Sequence, residues 1–271
     1  SAAVALNGGV ARHYACKPER GFVPEVEDIE KLVNKSTRAI VVINPNNPSG
    51  AVYDRNTLAS LVELAARHGL VLMADEIYDQ MVYDDAEFVP LATLVKNPVC
   101  LTFSGLSKVY RACGYRVGWC VFSGDLDRAT EYVHGMELLS ALRLCSNVPG
   151  QWAVQTALGG FQSIRELVQP GGRLYQSRQA VIDRVAASNF LSMKTPMGAM
   201  YAFIRLDPGI AERVDDQGFA LELLENHHVL VAPGSSFNTP YSDHFRITTL
   251  PDNETINTVF DRIETCLEQY A

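Results

Sequence analysis

Four short apolar runs and one amphipathic segment dominate the first part of the chain. The runs are rich in β-branched residues, and polar or glycine-containing stretches follow them, which is typical of strands buried in a sheet. They are Ala39–Ile43, Leu70–Ala74, Cys100–Phe103 and Val117–Phe122. Apolar residues recur at helical spacing from Thr57 to His68, and Gly69 follows at the position of a C-cap. Strands that alternate with helical segments predict a mainly parallel sheet covered by helices.

Beyond about residue 159 the pattern changes to longer helical segments and shorter strands. A polar, helix-favouring stretch runs from Arg173 to Ala187, and an amphipathic one runs from Glu254 to Tyr270. Between them lie strand-like pieces, namely Tyr201–Leu206, His228–Ala232 and Phe245–Thr249. We therefore predict a large α/β domain over residues 1–163 and a smaller C-terminal α+β domain over residues 164–271.

Charge and composition argue against several classes of partner. The 271 residues carry a formal net charge of −8 without any run of Lys and Arg, so nucleic acid is not expected as a partner. No stretch approaches the roughly 18 continuous apolar residues of a membrane span. The first residues lack the basic segment of a secretion signal. The six cysteines are scattered without a C-x-x-C pair, which favours reduced thiols over disulfides or a zinc site. We expect a cytoplasmic protein without membrane contact.

A few other residues are interpreted as structural. Adjacent His227 and His228 would point to opposite faces of a strand, a poor arrangement for a metal site, so no metal is expected. Trp152 is expected to pack in the core. The acidic residues near position 84 are expected to form a solvated turn, and these are Asp84, Asp85 and Glu87.

Polar residues cluster where three of the predicted strands end. Asn-Pro-Asn-Asn-Pro-Ser-Gly occupies 44–50, Asp-Glu-Ile-Tyr occupies 75–78, and Ser-Gly-Leu-Ser-Lys occupies 104–108. In an open parallel sheet, ligands bind at the carboxyl ends of the strands. A single Asp there is more often a cap and a single Lys is usually a solvated charge, so only the combination is informative. Together the stretches place an amide, a carboxylate, a phenol and an amine at one rim, with Arg116 shortly beyond.

This combination suits pyridoxal phosphate, a cofactor that acts as an electron sink. Its aldehyde forms a Schiff base with a lysine amine, and its ring nitrogen needs a carboxylate to stay protonated. Its phenolate oxygen needs hydrogen-bond donors, and its phosphate needs Arg and hydroxyl donors. The predicted rim contains a group for each of these tasks.

At these residues the chain resembles a known family. N-P-N-N-P-S-G at 44–50, D-E-I-Y at 75–78 and G-L-S-K-x7-R-x-G-W at 105–119 are similar, in order and separation, to the signature motifs of class I/II, fold-type-I aminotransferases. The stretches A-D-E-I-Y-D and F-R-I-T-T-L-P look most like the bacterial glutamate–pyruvate (alanine) aminotransferase branch. The resemblance implies a three-layer α/β/α large domain with a mainly parallel sheet and a smaller α+β domain. It also implies amino-group transfer between an L-amino acid and a 2-oxo acid, with pyridoxal phosphate as cofactor.

The resemblance assigns the groups around the cofactor ring. It makes Lys108 the Schiff-base lysine and the acid/base that moves the proton at the substrate Cα. Asp75 would pair with the ring nitrogen. Tyr78 and Asn47 would hydrogen-bond the phenolate oxygen, and Asn47 would also contact the substrate.

The resemblance also assigns the groups that bind the two anionic ends. Arg116 would bind the cofactor phosphate, helped by Ser107 or Ser104, because Gly105 stands where many relatives have Ser. Arg246 would clamp the substrate α-carboxylate, a task that suits a planar bidentate fork.

Several alternatives stay open at this point. Gly105 excludes the S-x-x-K pattern of serine acyl-enzymes, and no phosphate-binding nucleotide loop is present. The same scaffold supports aspartate and other amino-acid aminotransferases, C–S lyases and cyclopropane synthases. The family's chains begin considerably earlier, so this chain is expected to lack the N-terminal part of the large domain. A truncated, non-catalytic binding or dimerisation fragment is therefore the alternative of another class. The implied partners are amino acids, 2-oxo acids and a second copy in a homodimer.

Overall fold

The computed structural model describes residues 1–271, and its first half is built around a four-stranded sheet. The strands lie in the order β1–β2–β3–β4, and they are Ala39–Ile43, Val71–Asp75, Cys100–Gly105 and Gly118–Ser123. β1, β2 and β3 are parallel, and β4 pairs antiparallel with β3. The predicted α/β class and mainly parallel sheet are therefore confirmed. The first and last residues of each strand lie within two residues of the predicted positions.

The first half has five helices, of which α3 packs on one face of this sheet. They are α1 (Ala2–Leu6), α2 (Val26–Glu30), α3 (Arg55–His68), α4 (Thr130–Arg143) and α5 (Val148–Gly159). α3 begins after Asp54, whose carboxylate accepts the Thr57 N–H at 2.7 Å, and ends at Gly69 with φ 63°. A non-glycine residue would be strained at that φ, so the predicted C-cap is confirmed. The apolar stripe of α3 shares one core with the inward residues of the sheet, such as Ile40, Val42 and Leu72.

The opposite face of the sheet is open around Val41, which is 50% exposed. α4 carries no buried residue, and the only buried residue of α5 is Gly150. The expectation that Trp152 packs in the core is wrong, because its side chain lies on α5 and is 75% exposed. Large apolar side chains on and beside these two helices are exposed in the same way, among them Leu138, Leu139, Leu142, Leu144 and Phe161.

The second half is built around an antiparallel four-stranded sheet in the order β5–β6–β8–β7. Its strands are Leu191–Met193, Tyr201–Leu206, Ala232–Pro233 (β7) and His244–Thr248 (β8). Its helices are α6 (Ile164–Val168), α7 (Arg173–Ala187), α8 (Pro208–Ala211), α9 (Asp216–His227) and α10 (Asn253–Leu267). The predicted helix at α7 and the predicted strand at β6 are confirmed with the same bounds.

One predicted strand of the second half is wrong over most of its length. α9 continues to His227, and His228 adopts a left-handed conformation (φ 56°) that ends the helix. Of the predicted range His228–Ala232, only Ala232 pairs, with Arg246 of β8. The two histidines therefore mark a helix end, and the local apolar run after them does not form a strand.

α10 closes the core of the second half. Ile256, Phe260, Ile263 and Leu267 recur at helical spacing and are at most 3% exposed, which buries one stripe of the helix. They belong to a cluster of 18 buried residues that joins α7, α9 and α10 to the sheet. None of the helices in either half is long and apolar enough to cross a membrane.

A buried arginine connects the two halves. Arg178 of α7 is 2% exposed and pairs at 2.7 Å with Asp84, which lies in an exposed turn as predicted. Its Nε also donates to the Pro196 carbonyl at 2.6 Å, and its guanidinium lies 4.8 Å from the centre of the Tyr83 ring. The division at residue 163 falls between α5 and α6 and stays a prediction.

Candidate active site

A cavity of about 610 Å³ opens at the carboxyl ends of β1, β2 and β3. Five residues predicted for the site line it, namely Asn47, Asp75, Tyr78, Ser104 and Lys108. Its apolar wall comes from the open face of the first sheet and includes Val41, Met73 and Phe103. A volume of this size is within the roughly 300–1,000 Å³ that is usual for small-molecule sites.

The register of the parallel strands brings the acidic and basic groups together. Asp75 is the last residue of β2 and pairs with Ile43 of β1 and Phe103 of β3. Its carboxylate accepts the Ile77 N–H at 3.2 Å. Burial raises the pKa of the Asp75 carboxyl, whereas that hydrogen bond and the charge of Lys108 oppose the rise. The lysine after β3 therefore lies close enough to the carboxylate at the end of β2 to act on it electrostatically.

The loop that carries Asn47 is fixed at both ends. Asn44 is buried, and its side-chain oxygen accepts the Tyr53 N–H at 2.9 Å. At the other end, the Gly50 carbonyl accepts the N–H groups of Met197 and Gly198 at 2.9 and 2.8 Å. Gly50 has φ 69°, and a Cβ there would collide with Pro196, so only glycine fits. The loop is thereby anchored against the segment that leads into β6.

Tyr78 contributes a buried phenol at the floor of the cavity. Its hydroxyl lies 2.8 Å from the hydroxyl of Tyr201, and the two rings meet edge to face with centroids 5.7 Å apart. Burial raises the pKa of Tyr78, and the hydrogen bond to Tyr201 raises it further. The phenol therefore stays protonated at neutral pH and can donate a hydrogen bond to a bound anion.

Arg246, on the second sheet, is not part of the cavity lining but contacts two residues that are, Asn47 and Tyr201. Its Nη1 donates to Oδ1 of Asn47 at 2.9 Å, so this contact joins β8 to the loop after β1. The centre of its guanidinium lies 4.4 Å from the Tyr201 ring and 4.7 Å from the Phe237 ring. Its Nε is buried without a hydrogen-bond partner. A buried charged donor without a partner is costly, so this edge of the guanidinium suits an acceptor brought by a ligand.

Of the residues predicted to bind a phosphate, only one lines the cavity. Ser104 lines the cavity, whereas Ser107 and Arg116 are absent from its lining. The Ser107 carbonyl accepts the Cys113 thiol at 2.7 Å. Arg116 is exposed, and its Nη1 donates to the Cys113 carbonyl at 2.8 Å. The roles of these residues at a phosphate stay predictions.

The groups that do face the cavity fit the ring of pyridoxal phosphate. An amine, a carboxylate and a phenol line the same cavity, and these are the groups that the ring's aldehyde, nitrogen and phenolate oxygen require. Asn47 uses its carbonyl oxygen on Arg246, which leaves its amide N–H groups free to donate into the cavity. No cluster of three or more His, Cys, Asp or Glu side chains is arranged to hold a metal ion.

Two aromatic residues at this site were not found from the sequence. Tyr201 lines the cavity and contacts both Tyr78 and Arg246, and Phe237 packs against Arg246. Tyr201 was recognised only as the first residue of a strand. Its position beside Arg246 depends on the antiparallel register in which Phe203 pairs with Arg246, and no local motif encodes that register.

Comparison with known proteins agrees with this geometry. The family Aminotransferase class I and II matches residues 1–263. Alanine aminotransferase of Mycobacterium tuberculosis is 44% identical over 270 residues, which are 100% of this chain and 63% of that protein. Glutamate-pyruvate aminotransferase AlaA of Escherichia coli K12 is 44% identical over 271 residues, 65% of its length. The chain thus spans just under two thirds of the curated relatives it matches.

Solved structures give the same result. An aminotransferase from Escherichia coli superposes with a TM-score of 0.95 at 44% identity, covering 98% of this chain and 66% of the other. Alanine aminotransferase from Pyrococcus furiosus superposes with a TM-score of 0.91 at 33% identity, with coverage of 98% and 66%. The match runs through all three motifs at the rim of the cavity and through the strand that carries Arg246. The chain belongs to the class I and II aminotransferases.

Proposed function

We propose that this protein transfers an amino group between an L-amino acid and a 2-oxo acid with pyridoxal phosphate as cofactor. Alanine and glutamate are the proposed donors, and pyruvate and 2-oxoglutarate the proposed acceptors. The observation that carries the proposal is one cavity lined by Asn47, Asp75, Tyr78 and Lys108, with Arg246 bonded to Asn47. The names of the relatives at 44% identity support this choice of substrates.

Four polar residues that line the cavity have tasks in that reaction. Bound pyridoxal phosphate, the cofactor of class I and II aminotransferases, supplies an electron sink for charge that develops at the substrate Cα. Lys108 holds the cofactor and its Nζ moves the proton at Cα. Asp75 holds a proton on the ring nitrogen, and its position at the end of β2 suits that task. Tyr78 and Asn47 donate hydrogen bonds to the phenolate oxygen.

Arg246 binds the substrate α-carboxylate. Its unpartnered Nε and its fixed guanidinium plane support this role, because a carboxylate can satisfy the buried donor with a second, parallel hydrogen bond. Asn47 holds the opposite edge of the guanidinium and so keeps the fork in position. Arg116, with Ser107 or Ser104, is the proposed phosphate anchor.

The proposed partners include a second copy of the protein, in a cytoplasmic homodimer. The exposed apolar side chains of α4 and α5, such as Leu142 and Trp152, support burial of this face against further protein.

The proposal is tested by supplying the purified protein with pyridoxal phosphate and a panel of amino donors. L-Alanine with 2-oxoglutarate should give pyruvate and glutamate in equal amounts, and each donor alone should convert bound cofactor to pyridoxamine phosphate. Efficient turnover of L-aspartate instead would assign another amino-acid aminotransferase. Release of pyruvate and ammonia from a cysteine thioether without any 2-oxo acid would assign a C–S lyase. If the protein binds the cofactor but no donor converts it, transamination is contradicted and the chain is assigned as a non-catalytic binding fragment.

A further inference from the structure

Tyr201 lies between Tyr78 and Arg246, two residues that have different tasks in the proposed function. Tyr78, on the loop after β2, serves the cofactor, whereas Arg246, on β8, serves the substrate. Tyr201 is 6% exposed, lines the cavity and contacts both of them. The hydroxyl end of its side chain meets Tyr78, and its ring meets the guanidinium of Arg246. These two contacts can be removed separately by substitution.

The hydroxyl contact constrains where the hydrogen of Tyr78 points. Each phenol has one hydrogen to donate, and a single hydrogen joins the two oxygens across the 2.8 Å contact. If Tyr78 donates to a phenolate oxygen in the cavity, its hydrogen is used there, so Tyr201 must be the donor in the pair. Accepting that hydrogen bond makes the Tyr78 hydroxyl a stronger donor in turn, since chained hydrogen bonds polarise one another.

The contact with the Tyr201 ring restricts the position of the Arg246 guanidinium. The Tyr201 and Phe237 rings lie 4.4 and 4.7 Å from the centre of the Arg246 guanidinium, and Asn47 holds its Nη1. Cation–π contacts of this length favour a fixed guanidinium position over a mobile one. Asn47 uses one of the five guanidinium N–H donors, so the buried, unpartnered Nε and the Nη2 beside it remain for the substrate carboxylate.

We propose that Tyr201 is a positioning residue with two separable roles: its hydroxyl donates to Tyr78 and directs that phenol at the cofactor, and its ring holds Arg246 for the substrate carboxylate. This inference rests on the proposed function, because it takes the tasks of Tyr78 and Arg246 from there. Tyr201 itself needs no contact with the reacting atoms.

The first test is the variant Tyr201→Phe, which keeps the ring and removes the hydroxyl. The readout is the pH midpoint of the absorbance band of bound cofactor. A donor on the phenolate oxygen lowers this midpoint, so weakening the donor should raise it by roughly half to one pH unit. The KM for L-alanine should stay within about twofold, because the ring contact with Arg246 remains.

Two further variants make this result specific. Tyr83→Phe removes a buried hydroxyl that donates to the Ala199 carbonyl at 3.0 Å, outside the cavity lining, and should leave the midpoint unchanged. Tyr78→Phe should raise the midpoint by itself, and adding Tyr201→Phe to it should give no further shift, because the hydroxyl acts only through Tyr78. A further shift in the double variant would show that the Tyr201 hydroxyl does not act through Tyr78, and would overturn this part of the proposal.

The ring contact is tested by comparing Tyr201→Leu with Tyr201→Phe, because only Tyr201→Leu removes the ring from Arg246. In cofactor-free protein, calorimetry should show propionate binding weakened severalfold by Tyr201→Leu and unchanged by Tyr201→Phe. Phe237→Leu removes the other aromatic contact on Arg246, leaves the two phenols intact, and should weaken propionate binding without shifting the midpoint of the cofactor band. Equal propionate binding by Tyr201→Leu and Tyr201→Phe would overturn the role of the ring.

The outcomes separate this inference from the proposed function. If bound cofactor is converted by donors but Tyr201→Phe leaves the midpoint where it is in the unchanged protein, the inference is overturned and the proposed function stands. If the protein forms no cofactor band with pyridoxal phosphate, the proposed function fails and the inference fails with it.

Discussion

The two sheets of this chain differ in how completely their faces are covered. The antiparallel sheet of the second half is enclosed on both faces: α7, α9 and α10 pack on one, and residues of the first half pack on the other, where Phe203 joins their core. Core residues such as Phe219 and Phe260 are fully buried. The mainly parallel sheet of the first half packs on α3 with one face, and is open around Val41 on the other. The open face forms a wall of the cavity, so the groups proposed for the chemistry lie on the less enclosed sheet.

This difference indicates a division of tasks. The less enclosed sheet supplies Asp75, Tyr78 and Lys108 at its strand ends, where ligands bind in open parallel sheets. The enclosed sheet supplies Tyr201 and Arg246 from the paired strands β6 and β8, and regular strands suit residues that must hold a fixed orientation. The cavity is where the two meet, and the contact of Arg246 with Asn47 joins them.

The sharpest test of the difference truncates one large aromatic residue in each half. Phe260→Ala should cost about 3–5 kcal/mol of unfolding free energy in the 271-residue chain, because it leaves a cavity in a closed core. Trp152→Ala should cost less than about 0.5 kcal/mol, because its side chain is 75% exposed. Chemical denaturation of both variants measures the two values. Equal losses would mean that the face of α5 is covered in solution and that the comparison does not hold there.

The next test addresses the arginine that the enclosed sheet supplies. Arg246→Lys keeps the charge and loses the planar fork, so kcat/KM for L-alanine should fall by about 30-fold or more, roughly 2 kcal/mol. Arg205→Lys is the matched control, because Arg205 lies on neighbouring β6 and pairs with Asp243 at the surface. Steady-state kinetics distinguish them. Similar losses of kcat/KM in both variants would show that Arg246 has no specific role in binding the substrate carboxylate.

A smaller effect is expected at the ion pair between the halves. Asp84→Asn leaves the guanidinium of Arg178 buried without its counter-charge, and should cost about 1–3 kcal/mol of stability. Asp85→Asn changes an exposed neighbour that makes no ion pair and should stay within roughly 0.5 kcal/mol of the unchanged protein. The difference is read from thermal or denaturant unfolding. No difference between the two would show that the halves are held together by other contacts.

The smallest predicted effect is a pH dependence on the covered side of the first sheet. Glu76 is 6% exposed, its carboxylate accepts the Leu91 N–H at 2.8 Å, and burial raises its pKa to about 7. The folded state therefore binds a proton that the unfolded state releases near pH 4.5, so this residue's contribution to stability falls as pH rises from 4.5 to about 7. Above that range its contribution is constant.

Glu76→Gln keeps an acceptor for Leu91 and cannot ionise. Its stability advantage over the unchanged protein should grow by about 1–2 kcal/mol between pH 4.5 and 7, a value that allows for partial solvation of the carboxylate. Denaturation at a series of pH values measures this. Glu63→Gln, on the exposed side of α3, should show no such trend. A parallel trend in both variants would place the pH dependence elsewhere.

The first sheet and the rim of the cavity could be predicted from the sequence because their signals are local. Apolar runs mark β1 to β4, and the polar stretches that follow them contain Asn47, Asp75, Tyr78 and Lys108. The sheet's topology then brings these side chains together, since parallel strands end at the same edge. Arg246 was assigned by resemblance and does reach Asn47.

The rest could not be predicted because it depends on contacts far apart in the sequence. Tyr201 joins the site only through its contacts across the two sheets, and its hydroxyl partner lies 123 positions away. Trp152 was placed in the core on its hydrophobicity alone, yet no element of this chain packs over it. Asp84 does lie in the predicted solvated turn, but its pairing with the buried Arg178 could not be predicted, because Arg178 lies 94 positions later.

The central claim is that Lys108 holds pyridoxal phosphate at the junction of the two sheets. The direct test is to incubate the protein with pyridoxal phosphate, reduce it with borohydride and locate the pyridoxyl group by peptide mass mapping. The label should lie on Lys108, disappear in Lys108→Ala, and persist in Lys96→Ala, which changes an exposed lysine before β3. A label on any other lysine, or a protein that takes up no label, would contradict the account.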